Sequence, residues 1–432
     1  MSRLNGDPLP AGLGVQEAES FSGEIVASSR RMKNGWKRPN RAVAVFAAAV
    51  IVATSFLSWG GDTRPYPSAP SYCTFSSAAR NLSPISPGQS LSAALLSLKA
   101  LKDCFGGPLS SYRGPYTSLT SAWPESQALA AMIGLAGVSH SPASLKSSIA
   151  QNISVLRNYR DPNGGYQPNG RWYSTGAGVR KFDDNAWLGL DLARAYMISR
   201  DHRYLDQAKA IATFETTGWS LNRRFAKPGG IFWQEPRYGH HRNAVSTAGA
   251  ALLNARLYSI TGSSLYLKRA WTYLRWTVSA LTLSNGLIGD QISPNGSVNH
   301  KIWSYNQGLV IDTYTSLYQA TKNPADLAAA RLFANRSLSY FCGHNRLERQ
   351  PQVFDAIYLK SLAELYKVAP DSQYLRELQS YATYLYERMS PSTGVIHLGP
   401  VTSPSTGWLL TQAAAIQVFT AYASAGKNAI KT

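Results

Sequence analysis

One pattern dominates the chain beyond residue 90. An apolar segment of helical length is followed by a short polar turn and a second segment that opens on leucine. The turns read SHSPASL, SRDHRYL, TGSSLYL, TKNPADL and PDSQYL, ending at Leu145, Leu205, Leu267, Leu327 and Leu375. Four of them follow a tyrosine at a matched place: Tyr196, Tyr258, Tyr318 and Tyr366. Flanking apolar residues recur at spacings of three and four, as in Leu188, Leu192, Ala195 and Tyr196, the mark of a one-sided helix. A helical hairpin cannot bury its apolar face alone, so repeated hairpins must stack or close on one another. The leucine spacings are 60, 62, 60 and 48 residues, longer than the ~40–47 residues of an open HEAT-type solenoid. Five matched turns and a less regular hairpin at one end predict six hairpins, hence an all-α (α/α)6 toroid. Glycine-rich loops (DPNGGYQPNG, KPGGIFW, SNGLIGD, PSTGVIHLGP) would gather at one mouth and shape a cleft. Strand signals are sparse.

The repeat region is expected over residues 91–426. Ahead of it, residues 42–59 read AVAVFAAAVIVATSFLSW without a charge. At a rise of ~1.5 Å per residue this run reaches about 27 Å, near the hydrocarbon thickness of a bilayer. Arg30, Arg31, Lys33, Lys37, Arg38 and Arg41 precede it, so residues 1–41 should form a basic cytoplasmic tail. Residues 42–59 are then a single transmembrane signal anchor, with the repeat region outside the cytoplasm. Secretion after signal cleavage is the alternative, but the preceding tail is long and no clear A-x-A site follows. Residues 60–90, rich in Pro, Ser and Gly, read as a linker. Cys73 and Cys104 lie where a disulfide is permitted, and a pair of free thiols is the alternative.

The formal net charge is +19, which favours polyanionic surroundings such as anionic lipid or acidic cell-wall polymer. Nucleic acid is set aside, because no zinc finger, RNP motif or phosphate-cradling loop is present. No His pair has metal-ligand spacing, so neither a metal nor a cofactor is expected.

Within Lys181-Phe-Asp-Asp-Asn-Ala-Trp, Asp183 and Asp184 are adjacent at a helix start. Aspartate there commonly caps the helix. Glycosidic cleavage also needs two carboxyl groups, one to meet the anomeric carbon and one to protonate the leaving oxygen. Like charges this close cannot both ionise freely, so one pKa should rise. The loops supply residue types suited to sugar: Gln127 in WPESQ, Trp233 in GGIFW, Asn243 in RNAVST, Asp290 in GLIGD, and Tyr305 and Asn306 in WSYNQG. Arg223, Arg224 and Arg242 read as solvated surface charges.

Taken in order, WPESQALA, FDDNAWLGLDLARAY, GGIFW, RNAVSTAG, GLIGD and WSYNQGL resemble glycoside hydrolase family 76, the α-1,6-mannanase family with a six-hairpin toroid. The likeness is strong over roughly residues 115–345. It implies an endo-acting, retaining glycoside hydrolase with Asp183 as nucleophile and Asp184 as general acid/base. It implies that Asp290, Asn243, Tyr305 and Asn306 line the subsites nearest the cleaved bond, with Trp233 and Gln127 also binding substrate. The expected partner is an α-mannan polysaccharide or a mannosylated glycolipid, met by a monomer anchored in the membrane through residues 42–59. Transglycosylation onto a sugar acceptor is the alternative chemistry, and a non-catalytic glycan-binding toroid the alternative of another class. An unsaturated uronyl hydrolase fits the loop set less well.

Overall fold

A computed structural model of the protein describes residues 83–106, 120–138, 143–170, 178–237, 240–341, 346–397 and 406–429. The expected tail, transmembrane segment 42–59 and most of the linker lie outside the described residues. Among those residues no helix is long and apolar enough to cross a membrane.

Among the described residues twelve α-helices follow one another: α1 (Pro87–Phe105), α2 (Ala122–Val138), α3 (Ala143–Val155), α4 (Phe182–Ser199), α5 (His202–Glu215), α6 (Ala244–Thr261), α7 (Ser264–Leu281), α8 (Ser304–Thr321), α9 (Pro324–Phe341), α10 (Gln352–Val368), α11 (Ser372–Glu387) and α12 (Thr406–Ala429). The even-numbered helices pack α2–α4–α6–α8–α10–α12 and back to α2, a closed inner ring. The odd-numbered helices lie outside, and α3, α5, α7, α9 and α11 each pack against the inner helix that precedes them.

Five pairs are hairpins. The sixth is not, which corrects the expectation of six: α12 packs on α1, drawn from opposite ends of the repeat region. Ser90 Oγ donates to the Phe419 carbonyl at 2.9 Å, and Tyr422 Oη to the Ile85 carbonyl at 3.1 Å. Ring closure therefore recruits residues from the expected linker. Ile85 is buried, and α1 opens at Pro87 with a Ser86–Gln89 capping box, ahead of residue 91. Helix α12 likewise runs past 426. Cys104 at the end of α1 is disulfide-bonded; Cys73 and Cys342 lie outside the described residues.

Inner and outer helices differ as their neighbours do. Helix α4 touches a helix on either side and one behind, so Asp184 through Ala193 are all buried. The one-sided pattern holds better outside, as in α11, which buries Tyr374, Leu378, Tyr381, Ala382 and Leu385. The matched tyrosines end the inner helices. The carbonyls of Tyr196, Tyr258 and Tyr318 accept from Arg200, Gly262 and Lys322, all with positive φ. Such left-handed residues close a helix and let the chain reverse.

Candidate active site

The loops that lead into the inner helices share one construction. In four of them a short bridge folds the loop back: Arg160 with Tyr166, Trp219 with Ile231, Thr282 with Ile288, and Met389 with Ile396. A buried polar side chain near the start of the following inner helix, in the first turn of α4, α6 and α8 and in the second turn of α12, then clamps the second bridge residue. Asn185 Oδ1 accepts from Tyr166 N at 2.7 Å, Thr247 Oγ1 from Ile231 N at 3.0 Å, Gln307 Oε1 from Ile288 N at 2.9 Å, and Gln412 Oε1 from Ile396 N at 3.0 Å. A backbone N–H sealed under a loop costs about 1–3 kcal/mol if left unpaired, so these side chains fix the loop position.

The same loops also cap the preceding inner helix. The Pro168 carbonyl accepts from Ala122 N, the first N–H of α2, at 2.7 Å. Trp233 O does so for Phe182 of α4 at 2.9 Å, and Asp290 O for Ala244 of α6 at 2.8 Å. Two-residue antiparallel ladders hold these contacts: β1 (Arg180–Lys181) with β2 (Gln234–Glu235), and β3 (Arg242–Asn243) with β4 (Gln291–Ile292). Trp233 and Asp290 thus occupy equivalent places in successive repeats, each delivered to the mouth by capping a helix.

Asp183 sits where these deliveries meet. Its Oδ2 accepts from Trp233 Nε1 at 3.0 Å, and its Oδ1 accepts from Asp184 N at 3.0 Å. Lys181 Nζ lies 4.7 Å from the Trp233 ring centre and favours the ionised form of both aspartates. Burial still raises Asp183, but its charge in turn raises Asp184, Asp290, Glu215 and Tyr305. Asp183 is the member of the pair held by two N–H donors, which favour its ionised form. Burial and the Asp183 charge push Asp184 up to about 7. Asp290 is pushed up to about 6 by burial, against the Trp303 and Asn306 side chains, which favour its ionised form. Tyr305, its ring 4.0 Å from that of Phe354, is raised far above its usual range, so its hydroxyl stays a donor.

Asp183, Asp184, Trp233, Asp290, Tyr305 and Asn306 are thus brought together. Asn243 stands beside them, with Nδ2 donating to Gln291 Oε1 at 3.2 Å and its main chain joined to the ladder next to Asp290. Gln127 is placed differently. Its main-chain and side-chain oxygens accept from Gln417 Nε2 on α12, and it lines a cavity on the toroid axis with Asp191 and Lys360.

Sequence reasoning missed two neighbours. Lys181 was visible as the cation preceding the paired acids. Glu215 had no signal: it ends an outer helix, yet it is fully buried with neither carboxyl oxygen partnered among the described residues. Burial and the charge on Asp183 keep it protonated. Arg242 is a correction. It is fully buried rather than solvated, because its guanidinium donates to the carbonyls of Ala226, Lys227, Gly229 and Ser293 and packs on Phe225 and Trp276. Arg223 and Arg224 are exposed.

The sequence profile of glycosyl hydrolase family 76 matches residues 98–376, more than half of the chain. The chain belongs to this family. It is a glycoside hydrolase, and its paired acids stand at the mouth of the family's helical toroid. A mannan endo-1,6-alpha-mannosidase of Candida glabrata, DCW1, is 26% identical over 164 residues, 34% of this chain and 37% of that protein's length. The family 76 α-mannanase of Bacteroides thetaiotaomicron superposes with a TM-score of 0.69 at 21% identity, over 80% of this chain and all of the other. An inactive variant of the α-1,6-mannanase of Salegentibacter sp. HEL1_6, with two consecutive aspartates replaced by alanine and α-1,6-mannotetrose bound, superposes with a TM-score of 0.63 at 20% identity, over 77% and 98% of the two chains.

Proposed function

We propose that this glycoside hydrolase cleaves internal α-1,6-mannosidic bonds with retention of configuration. The observation that carries the reading is the split between the paired acids. Asp183 is held by two N–H donors that favour its ionised form, and burial together with the Asp183 charge pushes Asp184 up to about 7. In the first step an Asp183 carboxylate oxygen attacks C1 of a mannosyl residue. The bond from C1 to the leaving O6 breaks as Asp184 gives its proton to that oxygen. Water then attacks C1 of the mannosyl ester and gives a proton to Asp184, and the bond to Asp183 breaks. Asp290, Asn243, Tyr305 and Asn306 hold the hydroxyls nearest the cleaved bond, and Trp233 serves both as sugar platform and as donor to Asp183.

The named activities of the relatives support this choice of substrate. The Salegentibacter enzyme was made inactive at two consecutive aspartates and holds an α-1,6-linked mannotetraose. The test is digestion of linear α-1,6-mannan, with product size and fresh anomeric configuration followed together. Short oligomers released with α configuration are expected. Release of β-configured products, or of mannose alone from chain ends, contradicts the reading.

We also propose that the enzyme works outside the cytoplasm, held by residues 42–59. The uncharged run with its basic flank supports this, as does the disulfide at Cys104, since such bonds persist in oxidising compartments.

A further inference from the structure

We infer that a second pocket beside the mouth is a subsite for an anionic pyranose, one that carries a phosphate or a carboxylate. The inference rests on the mannanase reading for the glycan that brings this sugar. The extended segment around Trp233 has two faces, because successive side chains alternate. Trp233 turns to Asp183, and its neighbour Phe232 turns to the other side. There a cavity of about 310 Å³ is lined by Ser220, Asn222, Phe225, Phe232, Arg237 and His240. That volume falls at the small end of ligand sites, roughly 300–1,000 Å³.

The lining is specific in its chemistry. The rings of Phe225 and Phe232 stand 6.0 and 6.1 Å from that of His240, giving aromatic walls suited to the C–H face of a sugar. The Arg237 guanidinium lies 4.9 Å from the Phe232 ring, held by a 2.7 Å bond from Nη2 to the Thr217 carbonyl. Ser220 is 3% exposed, and its hydroxyl has no partner among the described residues. Asn222 spends its Oδ1 on Arg224 N at 3.0 Å, which leaves its Nδ2 as the group offered to a ligand. None of the lining residues is acidic. Exposed Arg223, Arg224 and Lys227 stand on the same loop, on a chain of net charge +19. A neutral mannan needs none of this positive charge. An acidic sugar is matched by the guanidinium, by the donors and by the field around them.

The experiment titrates the full chain with mannose 6-phosphate, glucuronate and mannose, and repeats this with two variants. Asn222→Asp preserves the acceptor for Arg224 N while adding a negative charge, and Arg237→Gln removes the cation. At least one acidic sugar should bind about tenfold more tightly than mannose, and each variant should lose about tenfold of that affinity. Both variants should keep wild-type turnover of neutral α-1,6-mannan. The acid that binds better distinguishes phosphate from carboxylate recognition. Equal affinity for mannose and both acidic sugars, or undiminished acid binding in both variants, overturns the inference. Failure of the wild type to cut mannan would instead strike the mannanase reading, since the sugar titration reads the pocket by itself.

Discussion

Asp183 and Asp191 stand eight residues apart on α4, about 12 Å along the helix, and meet opposite surroundings. Around Asp183 the ionisable neighbours are mostly acids: Asp184, Asp290 and Glu215, with Lys181 as the cation. Around Asp191 the axial cavity is lined by Arg194, Arg256, Asp312, Lys360 and Glu364, mixed in sign. There Arg256 Nη2 lies 2.7 Å from Asp312 Oδ1, and Lys367 Nζ lies 2.9 Å from Glu364. Burial raises Glu364, but Lys367, Arg256 and Arg194 outweigh it and hold the group at about 2. Burial raises Asp191 to about 8 and lowers Lys360 to about 8, so desolvation dominates that pair on both sides. A buried cluster of one sign spreads its proton affinities and becomes useful for acid–base chemistry. A buried cluster of both signs instead joins charges from four inner helices, α4, α6, α8 and α10, and breaking one of its pairs leaves a buried charge uncompensated.

That contrast can be broken at either end. The largest effect is expected at the mouth. Asp183→Asn should lower kcat on α-1,6-mannan by at least ~10⁴-fold, and Asp184→Asn by about 10²–10⁴-fold. An aryl mannoside whose leaving group needs no proton should recover much of the second loss and none of the first. At the axis the expected effect is on stability. Arg256→Met leaves the Asp312 carboxylate buried without its partner and should cost about 3–5 kcal/mol, read from the urea midpoint. Turnover per folded molecule should stay at the wild-type level; a variant as stable as wild type would mean that the axial pair holds nothing.

Smaller effects sharpen the electrostatics of the mouth. Trp233→Phe keeps a ring but removes the Nε1 donor to Asp183. Losing a hydrogen bond to an ionised group should reduce kcat about 10–100-fold and move the acidic limb of the pH profile upward, since the anion is less favoured. The alkaline limb belongs to Asp184. Its pKa is raised to about 7, so the protonated acid is present below that pH and is lost above it. Values of kcat/KM should fall roughly tenfold per pH unit above about 7, and Asp184→Asn should abolish this limb.

The toroid was legible because its signal is local. Leucines follow the polar turns of five hairpins and tyrosines precede four of them, and they mark hairpin ends in the structure. The sixth helix pair was not legible, since α1 and α12 meet only through ring closure, across bonds such as Ser90 to Phe419. At the mouth the residue types were readable, but the delivery was not. Trp233 and Asp290 reach Asp183 because their own carbonyls cap α4 and α6. Arg242 reads as a surface charge because the carbonyls that surround it, three from the loop at 226–229 and one from Ser293, cannot be seen in a sequence. Gln127 shares its motif with the other loops, yet its helix turns it toward α12 and the axis.

The claim that Asp183 is the nucleophile is tested most directly by trapping. The protein incubated with a fluorinated mannosyl donor, whose ester hydrolyses slowly, should gain the mass of one sugar. Peptide mapping should place that sugar on Asp183. A sugar found on Asp184 or Asp290, or no adduct while the donor is turned over, would contradict the account.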